Sequence, residues 1–189
     1  MSLVRVPRAF QGAPAHCARS EGRLKRVSVF YVTTSRKPSL TTKRLCRALA
    51  GLLPRGVYEN RGKKSIDDVY ARAKSLGKRR VLLVYERDGN PSSISFMKIN
   101  NSWEWLEPEI RISGVRMSAA KGARSPGARI IGEKSKTLAR LFGIEREDEE
   151  RDVEEHDEDE VTVIKTGAKE MTFSVNKKIM LVLKIVASD

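Results

Sequence analysis

Apolar and polar positions alternate along this chain with two distinct periods, and the changes of period mark its elements. Val27–Val32 is a near-continuous β-branched and aromatic run, the signature of a strand covered on both faces, and it stops at Thr33-Thr34-Ser35. Pro38 and Ser39 then supply a stop and an N-cap for a helix over 40–53, with Leu45, Leu49, Leu52 and Leu53 on one face and Ala48 beside them. Pro54 and Gly56 end it. Val57-Tyr58 reads as a short strand. Ser65 with Asp68 three residues on opens a second helix, whose apolar positions are Val69, Tyr70, Ala73 and Leu76, with Gly77 at its end. Strands are expected over 80–86 and 92–99, joined by the Arg87-Asp88-Gly89-Asn90-Pro91 turn. Trp103 and Trp105 lead to a strand over 109–117, where Ile110 and Ile112 alternate with Arg111 and Ser113.

A second unit follows a small-residue stretch, 118–127. Residues 128–132 precede a helix over 133–142 bearing Leu138, Leu141 and Phe142. Strands are then expected over 161–165, 170–175 and 179–186, with turns at Gly167 and Asn176-Lys177. Strands and helices alternate strictly only in the first half, so the pattern predicts an α/β fold with a mixed sheet. The expected organisation is a basic, flexible arm (1–26), a first half (27–117), a connector (118–127), and a second half (128–189) carrying an acidic insertion (145–160).

Charge sharpens this picture. The 189 residues carry a formal charge of +13 with a pI near 10.0. Residues 145–160 hold twelve carboxylates and two arginines, a local −10, so the remaining 173 residues carry +23. A body this cationic favours a polyanionic partner, nucleic acid ahead of an anionic membrane. No apolar run reaches the ~18 residues needed to span a bilayer, and Lys184 interrupts the run from Ile179 to Ala187. The arm is arginine-rich with Glu21 as its one acid; Pro7, Gly12, Pro14 and Gly22 favour an irregular segment over an amphipathic transit helix.

Enzyme chemistry finds little purchase. Five residues intervene between Gly56 and Gly62, which are followed by Lys63-Lys64, whereas a phosphate-cradling P-loop needs four intervening residues and then Lys-Ser/Thr. Gly127 and Gly132 have that spacing but are followed by Glu133. The two histidines, His16 and His156, fall in the arm and in the acidic insertion, away from any candidate nucleophile. Cys17 and Cys46 form neither a disulfide framework nor a four-ligand zinc set. The expectation is a non-enzyme without cofactor or metal.

The basic loops around the first helix suit nucleic acid better. Arg36, Lys37, Lys43, Arg44 and Arg47 cluster near the helix start, where main-chain N–H groups also favour anions. Arg61, Lys63 and Lys64 join them if the two loops lie side by side, and Thr34, Ser35 and Asn60 offer short donors for phosphate or 2′-hydroxyl oxygens. The bland alternative is a solvated, arginine-rich surface of the heat-adapted kind. Trp103, Trp105 and Tyr85 could stack on bases, though their apolar surroundings favour packing.

At Thr33-Thr34-Ser35-Arg36-Lys37-Pro38-Ser39, Asn60-Arg61-Gly62-Lys63-Lys64-Ser65-Ile66 and Tyr85-Glu86-Arg87-Asp88-Gly89-Asn90-Pro91, the sequence resembles the Brix domain family of ribosome-biogenesis proteins. It is most similar to the branch of the small-subunit processome Brix protein and its archaeal relatives. The second half is similar more weakly, at 128–142 and 161–175; the arm and the acidic insertion depart from the pattern. The resemblance implies two similar halves, each like the anticodon-binding domain of class II tRNA synthetases. It also implies a non-enzyme that binds pre-rRNA or rRNA and assists its folding or processing, with ribosome-assembly proteins as further partners; a monomer is expected. Such a protein is cytoplasmic in an archaeon and nucleolar in a eukaryote. The competing expectation is a protein–protein scaffold of a preribosomal particle with secondary RNA contacts.

Overall fold

The computed structural model describes residues 29–118, 125–144 and 161–186. The basic arm, most of the connector, the acidic insertion, Cys17 and both histidines lie outside the described residues. The elements run β1 (Phe30–Thr34), α1 (Leu40–Leu52), β2 (Val57–Tyr58), α2 (Ile66–Ser75), β3 (Arg80–Arg87), β4 (Asn90–Ile99) and β5 (Trp103–Met117). They continue as β6 (Ala128–Gly132), α3 (Ser135–Phe142), β7 (Thr162–Thr166), β8 (Glu170–Val175) and β9 (Lys178–Ile185). Two expectations shift. Thr33 and Thr34 belong to β1 and are fully buried, because the strand continues alongside β3 as far as Val84. β5 begins at Trp103, six residues before the expected start, because Trp103, Trp105 and Leu106 pair with β4.

The nine strands among the described residues form one sheet, ordered β2-β1-β3-β4-β5-β9-β8-β7-β6. The expected mixed sheet is thus a single one that runs through both halves. β1 is parallel to β2 and β3, and β6 is parallel to β7; the other neighbours are antiparallel. Read outward from the β5–β9 seam, β5-β4-β3-β1 on one side answers β9-β8-β7-β6 on the other. Parallel β1 and β2 are joined through α1, β2 leads to β3 through α2, and parallel β6 and β7 are joined by a connection that holds α3.

The sheet is clad unequally. α1 and α3 share one face, where Leu45, Leu49, Leu138 and Leu141 join Phe30, Val32, Leu82 and Val84 in a single core. Phe142 of α3 meets Phe96 edge-on at 5.0 Å and Phe30 at 6.2 Å, so a helix of the second half plugs the sheet of the first. Half-buried Arg80 closes that contact by donating to the Leu141 carbonyl at 3.1 Å, satisfying an end of α3 that lacks intrahelical partners. The opposite face carries α2 over Tyr31, Val81, Met97 and Ile99. Ser65 opens α2 with the expected capping box: Asp68 N–H donates to Ser65 Oγ at 3.0 Å, and Ser65 N–H donates to the Asp68 carboxylate at 2.9 Å.

Candidate nucleic-acid interface

Parallel strands release their chain at the same edge of a sheet, so the β1–α1 and β2–α2 loops emerge as neighbours. Tyr31 pairs with Val57 and Val32 with Tyr58. Beyond that pairing, Glu59 N–H donates to the Val32 carbonyl at 3.2 Å, and the Thr33 hydroxyl donates to the Glu59 carbonyl at 2.9 Å. β3 ends at this edge too, with Ser35 N–H bonded to the Val84 carbonyl at 2.9 Å. The two basic loops therefore meet.

Two carboxylates that the sequence pattern passed over organise this edge. Glu86, at the end of β3, sits at the start of α1: its Oε2 accepts from Ser39 N–H at 2.8 Å and from the Thr42 hydroxyl at 2.6 Å. Ser39 Oγ in turn accepts from Thr42 N–H at 3.2 Å. These hydrogen bonds, with Lys43 nearby, hold the Glu86 carboxyl below the usual range. The anion-favouring helix start is thus occupied by the protein's own carboxylate.

Glu59 is the second. Arg72 of α2 donates to its Oε1 from Nη2 at 2.7 Å and from Nε at 3.0 Å, Lys64 Nζ lies 3.2 Å from Oε2, and the buried Tyr31 hydroxyl donates to Oε2 at 3.1 Å. Led by the Arg72 hydrogen bond, these partners hold the Glu59 carboxyl down at about 2. Burial, with Glu59 as acceptor, pushes the Tyr31 phenol up.

The expected site residues divide accordingly. Thr34 is fully buried, its hydroxyl without a partner, and out of reach of a phosphate. Lys64 is committed to Glu59, and Asn60 accepts from the Tyr58 hydroxyl. Arg47 lies over the Tyr58 ring at 5.5 Å. Arg61 donates from Nε to the Lys64 carbonyl at 3.0 Å and lies near Tyr85, whose phenol burial pushes up and Arg61 partly restores. Ser35 is half-buried, and Lys43 half-buried near Glu86. Arg36, Lys37, Arg44 and Lys63 are exposed and make no ion pair among the described residues. Lys37 holds a left-handed backbone (φ 53), at a cost of ~1 kcal/mol that a glycine would avoid. The sequence reading missed Arg72 as well as the two carboxylates.

The glycines of the P-loop near-miss have local duties. A Cβ on Gly56 would stand 2.2 Å from the Ala50 carbonyl oxygen of α1, and Gly62 turns with φ +59. Trp103 packs beside α2 and donates to Asp67 at 3.0 Å, while Trp105 is 37% exposed. Cys46 is buried, its thiol pushed up to about 12 chiefly by that burial. Among the described residues no cluster of metal-ligating side chains occurs, and no helix is long and apolar enough to cross a membrane. A cleft of about 360 Å³ opens elsewhere, between α3, β5 and the β7–β8 turn.

No protein-family model matches the chain. It is 30% identical, over 97 residues, to a probable Brix domain-containing ribosomal biogenesis protein of Pyrococcus abyssi; the match covers 51% of this chain and 43% of that protein. Over this stretch the chain is similar to archaeal Brix-domain proteins. The matched stretch is less than half the length of that Brix protein. Among solved structures, the chain resembles Mil, an archaeal Imp4-like protein, at a TM-score of 0.60 and 26% identity, covering 82% of this chain and 95% of Mil. A probable ribosomal biogenesis protein from Aeropyrum pernix K1 shares the fold at a TM-score of 0.64 and 19% identity, with 85% of this chain and 97% of that one covered. The mixed α/β sheet is thus shared with these two archaeal proteins, one of them Imp4-like.

Proposed function

We propose that this chain is a ribosome-biogenesis factor that binds pre-rRNA at the edge where its β1–α1 and β2–α2 loops meet, and assists RNA folding or processing without catalysing a reaction. The observation that carries this reading is the fate of the charges there. Glu59 and Glu86 are satisfied internally, which leaves Arg36, Lys37, Arg44 and Lys63 pointing their charge to solvent around one rim. Loop cations of this kind bind phosphates and position an RNA without reading its bases. The ribosomal-biogenesis names of the relatives select rRNA among polyanions. In an archaeal cell the role is cytoplasmic, and we read the protein as a monomer with a first half to residue 117 and a second from 128.

The test is the salt dependence of binding. Replacing Arg36, Arg44, Arg61 and Lys63 together with alanine is expected to weaken binding to a single-stranded rRNA fragment. It should also flatten the log–log salt slope by about 0.7 for each phosphate that is no longer neutralised. An unchanged affinity and slope would refute the assigned surface. The scaffold reading draws on exposed Leu40 (60%) beside the same loops; association with preribosomal particles that survives complete nuclease digestion would favour it.

A further inference from the structure

The face that α2 covers in the first half is cationic and open in the second. Under α2 the strands present Tyr31, Val81, Met97 and Ile99. On the same side of β7, β8, β9 and β5, one row of cross-strand partners reads Lys165, Thr172, Val182 and Arg116. Lys184 lies two residues beyond Val182, facing Gly114 across the β5–β9 seam. No described helix lies over this row, and Arg116, Lys165 and Lys184 are exposed. The Lys184 stem lies over β5 at Gly114, where a Cβ would stand in ordinary contact, 3.4 Å from Lys184 Cδ. One carboxylate, Glu170, shares the face, 3.8 Å from Arg116 Nη2.

We propose that this open face, through Arg116, Lys165 and Lys184, is a second surface for an RNA backbone, separate from the loop edge of the first half. Three cations against one carboxylate, spread over about 14 Å at a strand spacing near 4.8 Å, match a row of phosphates. Thr172 adds a hydroxyl donor at the half-buried position between them. The row contains no aromatic ring, so it grips backbone and does not stack bases. With the loop edge, it gives the protein a grip at each half on one long RNA. The inference rests on the reading that the chain binds RNA.

The experiment measures affinity against salt for the full chain with two single-stranded RNAs of arbitrary sequence, about 8 and about 40 nucleotides long. Replacing Arg116, Lys165 and Lys184 with serine is expected to leave the short RNA bound as before. On the long RNA it should weaken binding and reduce the salt slope by about 2, from three phosphates at about 0.7 each. The exchange R116K, K165R and K184R is expected to restore both. An unchanged slope and affinity on the long RNA, in a variant with an unaltered thermal transition, overturns the proposal. So does a failure of the charge-preserving variant, which would make the role structural. Unaltered RNA binding with loss of a nuclease-resistant protein partner would assign the face to that partner and overturn it as well. The loop variant separates the two readings: short-RNA binding unaffected by it refutes the loop edge, whatever the sheet face does.

Discussion

Replacing Glu59 with glutamine tests the electrostatic hub beneath the basic loops. The substitution keeps the shape and leaves an acceptor for the Tyr31 hydroxyl, but it removes the charge that Arg72 and Lys64 face. Moving a carboxyl from its usual 4.5 to about 2 corresponds to roughly 3 kcal/mol at ~1.36 kcal/mol per pH unit. The side chains of Arg72 and Lys64 are 47% and 36% exposed, and solvent screening of such partners brings the expected cost to about 1–2 kcal/mol. For a chain of this size that lowers the melting temperature by about 3–6 °C at neutral pH. The sign with pH follows from proton uptake. Between about 2 and 4.5 the unfolded chain holds more protons at this site than the folded one, so its contribution is whole above that window and is lost as pH falls through it. Thermal unfolding of wild type and E59Q at pH 7, 4 and 2.5 is the assay. The two melting curves should converge as the pH drops. A constant gap across that range, or no gap at pH 7, would refute the assignment.

Glu86→Ala removes the carboxylate at the start of α1; a loss of about 1–2 kcal/mol by urea unfolding is expected. The same change should tighten RNA binding at low salt, since helix N–H groups and Lys43 are freed for phosphate. Unaltered or weaker binding would mean that the helix start takes no part in it. Phe142→Ala empties the position between Phe30 and Phe96 and is expected to cost about 3–5 kcal/mol. Because that ring links α3 to the first half's sheet, hydrogen exchange in β1 and β4 should rise along with exchange in α3; a rise confined to α3 would contradict the shared core.

Much of the fold was legible because period and punctuation agree locally. Ser39, Ser65 and the Asp88-Gly89 turn each act within a few residues, and the leucines of α1 lie where a 3.6-residue period puts them. The partnerships at the edge were not legible, because they join positions far apart in the chain. Glu86 meets Thr42 across 44 residues, and Arg72 meets Glu59 across 13; each carboxylate read singly is an ordinary strand-end charge. The joining of both halves in one sheet was hidden for the same reason: β5 and β9 pair across a span that includes the acidic tract. Thr34 and Lys64 were chosen for their chemistry, and burial and an ion pair withdrew them.

The β5–β9 seam has a consequence for how the protein is made. β9 follows every other described strand in the chain, yet it occupies the middle of the sheet. Until it emerges during synthesis, β5 of the completed first half and β8 both present unpaired strand edges, which are templates for joining another chain. Arg111 and Arg116 on β5, with Glu170 on β8, place charge along those waiting edges. Chains cut before Lys178 are therefore expected to associate with one another, and adding back a peptide of the β9 sequence should suppress that association.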